Sequence, residues 1–103
     1  MVTNAILTNS DVFRAISDPI RREILDFLKD QESSAGEIAG RFAVSRPAIS
    51  RHLRILLGAG LVTERRSAQR RIYRLNPAPL APVDRWLDAY RGCRETTRPD
   101  HTG

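Results

Sequence analysis

Few side chains in this sequence can carry covalent or metal chemistry. The groups that titrate near neutrality are His52 and His101, and Cys93 is the one thiol. A single Cys allows no internal disulfide, and with two His it supplies three side chains where a structural zinc site takes four. Ser50 and His52 stand two residues apart, a spacing at which helical side chains do not face each other as a nucleophile and its base must. No acid, base and nucleophile converge, so the sequence reads as a non-enzyme. Cys93 reads as an ordinary thiol near the C-terminus, since no adjacent partner suggests a relay.

What the sequence does hold in number is arginine. Of its 17 basic residues 16 are Arg, the side chain whose planar fork suits phosphate and guanine, although a GC-rich genome produces the same bias. Their placement is more telling than their type. Residues 41–74 carry nine Arg and one acid, Glu64, for a local charge of +8, while the other 69 residues sum to −3. A surface that only needs to be soluble intersperses the signs; a one-sided basic block attracts polyanions.

The elements that position this block must come from one small domain. A chain of 103 residues with net charge +5 buries roughly two-thirds of its unfolded surface, enough for one core. No apolar run approaches the roughly 18 residues that span a bilayer, and MVTNAILTNSDVF has no basic region before an apolar block, so a soluble, cytoplasmic protein is expected. Residues 10–17 place Val12, Phe13 and Ile16 on one helical face. Asp18-Pro19 reads as N-cap and first residue of a helix to about Asp30. Ser34-Ala35-Gly36-Glu37 has capping-box spacing for a third helix through Phe42. After the short turn Ala43-Val44-Ser45, a fourth helix runs to about Ala59, with Gly60 as its stop. On that helix Ile49, Leu53, Leu56 and Leu57 share one arc, with Pro47, Arg51 and Arg54 opposite and Arg46 and Ser50 on one flank. His52 falls at the edge of the core arc, in a hydrogen-bonded structural or phosphate-contacting position.

Leu61 to Arg66 and Arg71 to Leu75 read as two strands joined by the loop Ser67-Ala68-Gln69-Arg70. A last helix from about Leu80 to Arg91 carries Leu80, Val83, Trp86, Leu87 and Tyr90 at helical spacing. Residues 1–91 are expected to form the domain and 92–103 a flexible tail. The order describes a mainly α fold with a small β-hairpin, a winged helix-turn-helix. In such a domain one helix enters the major groove, the preceding helix braces it, and the hairpin tip lies along phosphates or enters the minor groove.

Three segments, VFRAISDPIRREILDFL, GEIAGRFAVSRPAISRHLRILLGAGLV and RRIYRLNP, resemble the ArsR/SmtB-type bacterial repressors, and the first resembles the SdpR autorepressor-like branch in particular. The resemblance covers residues 11–91 and includes the signature Ser50-Arg51-His52-Leu53. It implies a homodimer joined through the first and last helices, and it places Arg46, Pro47, Ser50 and Arg51 against operator DNA. With Ala48, His52 and Arg54 beside them, and Arg66, Gln69, Arg70 and Arg71 at the wing, these make up the expected DNA-binding set. Pro47 would contribute apolar contact rather than a hydrogen bond. The expected dimer seam is Val12, Phe13, Ile16, Leu80, Val83, Trp86, Leu87 and Tyr90, because the last helix has no core of its own; Trp86 and Tyr90 read as interface or core rather than effector pocket. GEIAGRF lacks the Cys of the thiolate-metal motif, and Asp84 and Asp88 have no His beside them, so no metal or other cofactor is expected. The expected partners are double-stranded DNA and a second copy of the chain. The alternatives are a non-sequence-specific architectural DNA-binding protein or a partner-binding module that kept the fold.

Overall fold

A computed structural model describes residues 11–93. The start of the first expected helix at residue 10, His101, and the expected tail from residue 94 onward lie outside the described residues.

Helix α1 is described over residues 11–15 and turns at residues 16–17 into α2, Pro19–Asp30. The boundary is set locally: Asp18 Oδ2 accepts the N–H groups of Ile20 at 2.9 Å and Arg21 at 3.1 Å, and Pro19 gives up an N–H that no helix would use. Ser34 caps α3, Ala35–Arg41, through a capping box in which the Ser34 hydroxyl accepts the Glu37 N–H and the Glu37 carboxylate accepts the Ser34 N–H. Helix α4, Arg46–Gly58, starts at Ser45, whose Oγ accepts the Ala48 N–H at 3.2 Å. It ends where Gly60 takes φ +76°, with Gly60 N–H on the Leu57 carbonyl and Leu61 N–H on that of Leu56. That pair of bonds is a Schellman cap, and it sends the buried Leu61 straight into the core.

The sheet has three strands, one more than the hairpin read from the sequence. β1 is Ser33–Ser34, β2 is Val62–Ser67 and β3 is Arg70–Leu75, antiparallel in the order β1-β3-β2. Two serines carry no strand pattern of their own; Ser33 opposite Tyr73 and Ser34 opposite Ile72 become a strand because β3 offers its free edge. The hairpin is also tighter than expected. Ser67 pairs with Arg70, so the loop is Ala68-Gln69 alone, and Ala68 takes φ +58° to turn it. At the other end Asn76 N–H bonds the Leu61 carbonyl and Asn76 Nδ2 donates to the Gly60 carbonyl, both at 2.8 Å. The wing is thereby fastened to the end of α4.

A single core joins Ile24, Leu25 and Leu28 of α2 with Ile38, Ile49, Leu53, Leu56, Leu61, Val62 and Tyr73. Val12, expected at the dimer seam, belongs here instead: it is fully buried with Ala15 beneath the chain's own helices and has no surface to offer a partner. After a 3-10 turn at Ala78–Leu80 the chain ends in α5, Ala81–Arg91, which has no buried residue. Ile16, Leu80 and Val83 are half-buried against the core.

Candidate nucleic-acid interface

α3 and α4 form the helix-turn-helix, and α4 turns one side to the core and the other outward. Ile49, Leu53 and Leu56 are buried, while Arg46, Pro47, Ser50, Arg51 and Arg54 are exposed and Ala48 is half-buried. None of Arg46, Arg51 and Arg54 has an ion-pair partner among the described residues. The Arg46 guanidinium lies over the first turn of α3, where a Cβ on Gly36 would come within 4.0 Å of Nη1.

His52 points the other way. Its side chain is mostly buried, with Nδ1 3.1 Å from Arg21 Nη1 and 4.0 Å from Asp18 Oδ2. Arg21 in turn donates from Nε to the Ala15 carbonyl at 2.8 Å and from Nη2 to that of Arg14 at 3.1 Å. One buried guanidinium thus ties the end of α1 and the start of α2 to the reading helix, using the fan of donors that only Arg has. Desolvation pushes the Asp18 carboxyl up, but the Arg21 N–H, the charges of His52 and Arg21 and the Ile20 N–H outweigh it and hold the group below its usual range. Arg21 is a bracing residue that periodicity alone does not reveal; its only signal in the sequence is the Asp-Pro-Ile-Arg-Arg run after the cap.

The wing arginines lie on the strands, with Gln69 exposed at the tip. Three of them meet carboxylates: Arg65 donates to Glu32 at 2.8 Å, Arg70 lies 3.4 Å from Glu37, and Arg71 lies 3.5 Å from Glu64. Arg66 and Arg74 are exposed and have no such partner among the described residues. The Glu37 carboxyl is held below its usual range, first by the Ser34 N–H, then by the Ser34 hydroxyl and by Arg70, against a small cost of desolvation. Burial pushes the Tyr73 hydroxyl up, and Glu64 opposite it on β2 adds to that. The sequence count of +8 missed Glu32 and Glu37, which stand outside residues 41–74 and are brought to the wing by β1.

On the α1 and α5 side, Phe13, Trp86, Leu87 and Tyr90 are exposed by 37, 51, 40 and 57%. The Phe13 and Trp86 rings meet edge to face at 5.8 Å, and those of Trp86 and Tyr90 at 5.1 Å. Among the described residues no three His, Cys, Asp or Glu side chains are grouped to hold a metal ion, and no helix is long and apolar enough to cross a membrane.

Residues 18–64, from the cap of α2 into β2, match the bacterial regulatory protein arsR family. The transcriptional repressor SdpR of Bacillus subtilis (strain 168) is 45% identical over 78 residues, spanning 76% of this chain and 87% of its own length. The chain belongs to the ArsR family. Solved structures agree. A crystal structure of a possible transcriptional regulator for arsenical resistance is 39% identical, with a TM-score of 0.68 over 75% of this chain and 80% of that one. The solution structure of a homodimeric winged helix-turn-helix DNA-binding domain from Mycobacterium bovis, a possible ArsR-family regulator, is 25% identical with a TM-score of 0.68, over 96% of this chain and 93% of that one. As an ArsR-family protein the chain is a DNA-binding transcriptional regulator with a winged helix-turn-helix, and not an enzyme.

Proposed function

We propose that this chain is a cytoplasmic homodimeric repressor that reads an inverted-repeat operator through α4 and grips the flanking phosphates through its wing. The observation that carries this is the outward face of α4. Arg46, Arg51 and Arg54 stand exposed beside Pro47, Ala48 and Ser50 with no carboxylate partner among the described residues, on a helix whose other side is buried in the core. A helix of this kind enters the major groove with its N-terminal residues at base edges. His52 belongs to the brace behind that helix through Arg21, and Arg66, with Gln69 at the tip, is exposed on the wing and open to phosphate.

The exposed aromatic stripe on α1 and α5 supports a second copy as its cover, as does the homodimeric state of the Mycobacterium bovis relative. Because GEIAGRF holds no Cys and Asp84 and Asp88 have no His beside them, operator binding is expected not to respond to a transition metal. A footprint on the DNA upstream of the chain's own gene, compared with random DNA at about 150 mM salt, tests the reading. Protection of an inverted repeat is expected, unchanged by zinc. Equal affinity for both DNAs would instead identify an architectural protein, and a stoichiometric, chelator-reversible loss of binding with zinc would overturn the metal-free mechanism.

A further inference from the structure

The Glu37 carboxylate serves two partners at once. Oε1 accepts the Ser34 N–H at 2.8 Å and closes the capping box, while Oε2 lies 3.4 Å from Arg70 Nη2 on the wing. Arg65 with Glu32 and Arg71 with Glu64 also form ion pairs, whereas among the described residues the arginines of α4 have none. The basic surface is therefore divided. The cations of the reading helix are open, and three of the five on the wing stand beside a carboxylate of the chain.

We propose that Glu37 is an affinity-setting residue for DNA: its carboxylate takes, on Arg70, the place of a backbone phosphate and so holds down sequence-independent binding through the wing. The proposal rests on the DNA-binding reading above. A carboxylate oxygen and a phosphate oxygen are the same kind of anionic acceptor for a guanidinium, and an Arg70 held beside Glu37 Oε2 is less free to turn to phosphate. Random DNA is held by cations that displace its counterions, and each phosphate neutralised adds about 0.9 to the salt-dependence slope. An arginine neutralised by the protein displaces none. Glu37 competes better than an ordinary surface glutamate, because the Ser34 N–H fixes its position and leaves little side-chain freedom to lose on pairing. The opposite expectation, that Glu37 merely steadies the wing for DNA, predicts the reverse sign on its removal.

Glu37→Gln separates the two. Gln still closes a capping box but has no charge to hold Arg70. Binding of the full chain to a labelled random-sequence duplex is measured by fluorescence anisotropy from about 50 to 200 mM salt. Glu37→Gln is expected to bind about two- to five-fold tighter, the range an exposed ion pair covers, with a slope steeper by about 0.9. Adding Arg70→Ala returns the variant to wild-type behaviour, and Glu23→Gln, which removes the same charge from α2, brings no gain. Unchanged or weaker binding by Glu37→Gln, a gain that survives Arg70→Ala, or an equal gain from Glu23→Gln would overturn the proposal. Arg70→Ala alone leaves the capping box intact and is expected to keep the wild-type slope; a slope shallower by about 0.9 would show Arg70 already spent on phosphate and would also overturn it. A wild-type chain that binds no duplex at any salt refutes the DNA-binding reading itself, before Glu37 enters.

Discussion

At the scale of single residues, the arginines divide by what already surrounds them. Arg51 stands opposite Ile49 and Leu53 with no ion-pair partner among the described residues, in the first two turns of α4. Arg51→Ala is expected to cost about 1 to 3 kcal/mol of operator affinity and to relax preference at one position in each half-site. Arg66, on β2 and without an ion-pair partner among the described residues, is expected to act on phosphate: Arg66→Ala weakens operator and random DNA alike and lowers the salt slope by about 0.9. Titrations against single-base operator variants at several salt concentrations check both, and a change of sequence preference from Arg66→Ala alone would make the wing the reader. Arg21 acts on the fold. Arg21→Met strands the Arg14 and Ala15 carbonyls and His52 Nδ1, and about 2 to 3 kcal/mol of stability is expected to go with them in denaturant unfolding. The exposed arginines were legible because their helical positions alone set their direction. Arg21 was not, because its partners lie six, seven and 31 residues away.

At the scale of elements, the helix ends were legible and the sheet was only half so. Asp18-Pro19, the Ser34–Glu37 box, Ser45 and Gly60 act within a few residues of themselves, so the sequence states them outright. β1 is specified by the edge of β3 and not by its own serines, which hid both the third strand and the approach of the flanking Glu32 and Glu37 to the wing. The hairpin loop was read as four residues because nothing in Ser-Ala-Gln-Arg announces a positive φ. Ala68 is strained there, so Ala68→Gly is expected to stabilise the chain by about 0.5 to 1 kcal/mol in denaturant unfolding. A loss of stability would mean that the turn does not need the left-handed residue. The caps also set an acid limit. Asp18 and Glu37 both have folded-state values below their ordinary ones, so their contribution is present above the usual carboxylate range and is lost as pH falls through the lower folded values. Melting temperature followed from pH 6 downward should fall below about pH 4, and less steeply in Glu37→Gln.

At the scale of the whole molecule, the question is what covers α5. Its apolar stripe was legible as a period, but the division of labour within it was not, because periodicity cannot tell a core neighbour from a partner. Val12 went to the core, Ile16, Leu80 and Val83 are half-buried, and Phe13, Trp86, Leu87 and Tyr90 remain outside. Four large apolar side chains on two adjoining helices make a patch that a monomer in water has reason to cover. A two-fold copy would cover it with the same patch, since in such a pair residue i meets residue j and j meets i. Two reading helices related by that axis would then meet the same DNA face in opposite senses, which requires an inverted repeat with half-site centres about 10 bp, or a multiple of it, apart. Leu87 is the sharpest probe: it is 40% exposed, so a charge there costs the monomer fold little while falling in the middle of the proposed seam. Wild type is expected to sediment as a dimer at micromolar concentration and Leu87→Asp as a folded monomer with weakened operator binding. A wild-type monomer, or a Leu87→Asp variant that stays dimeric, would remove α1 and α5 as the seam and with it the predicted spacing of the operator.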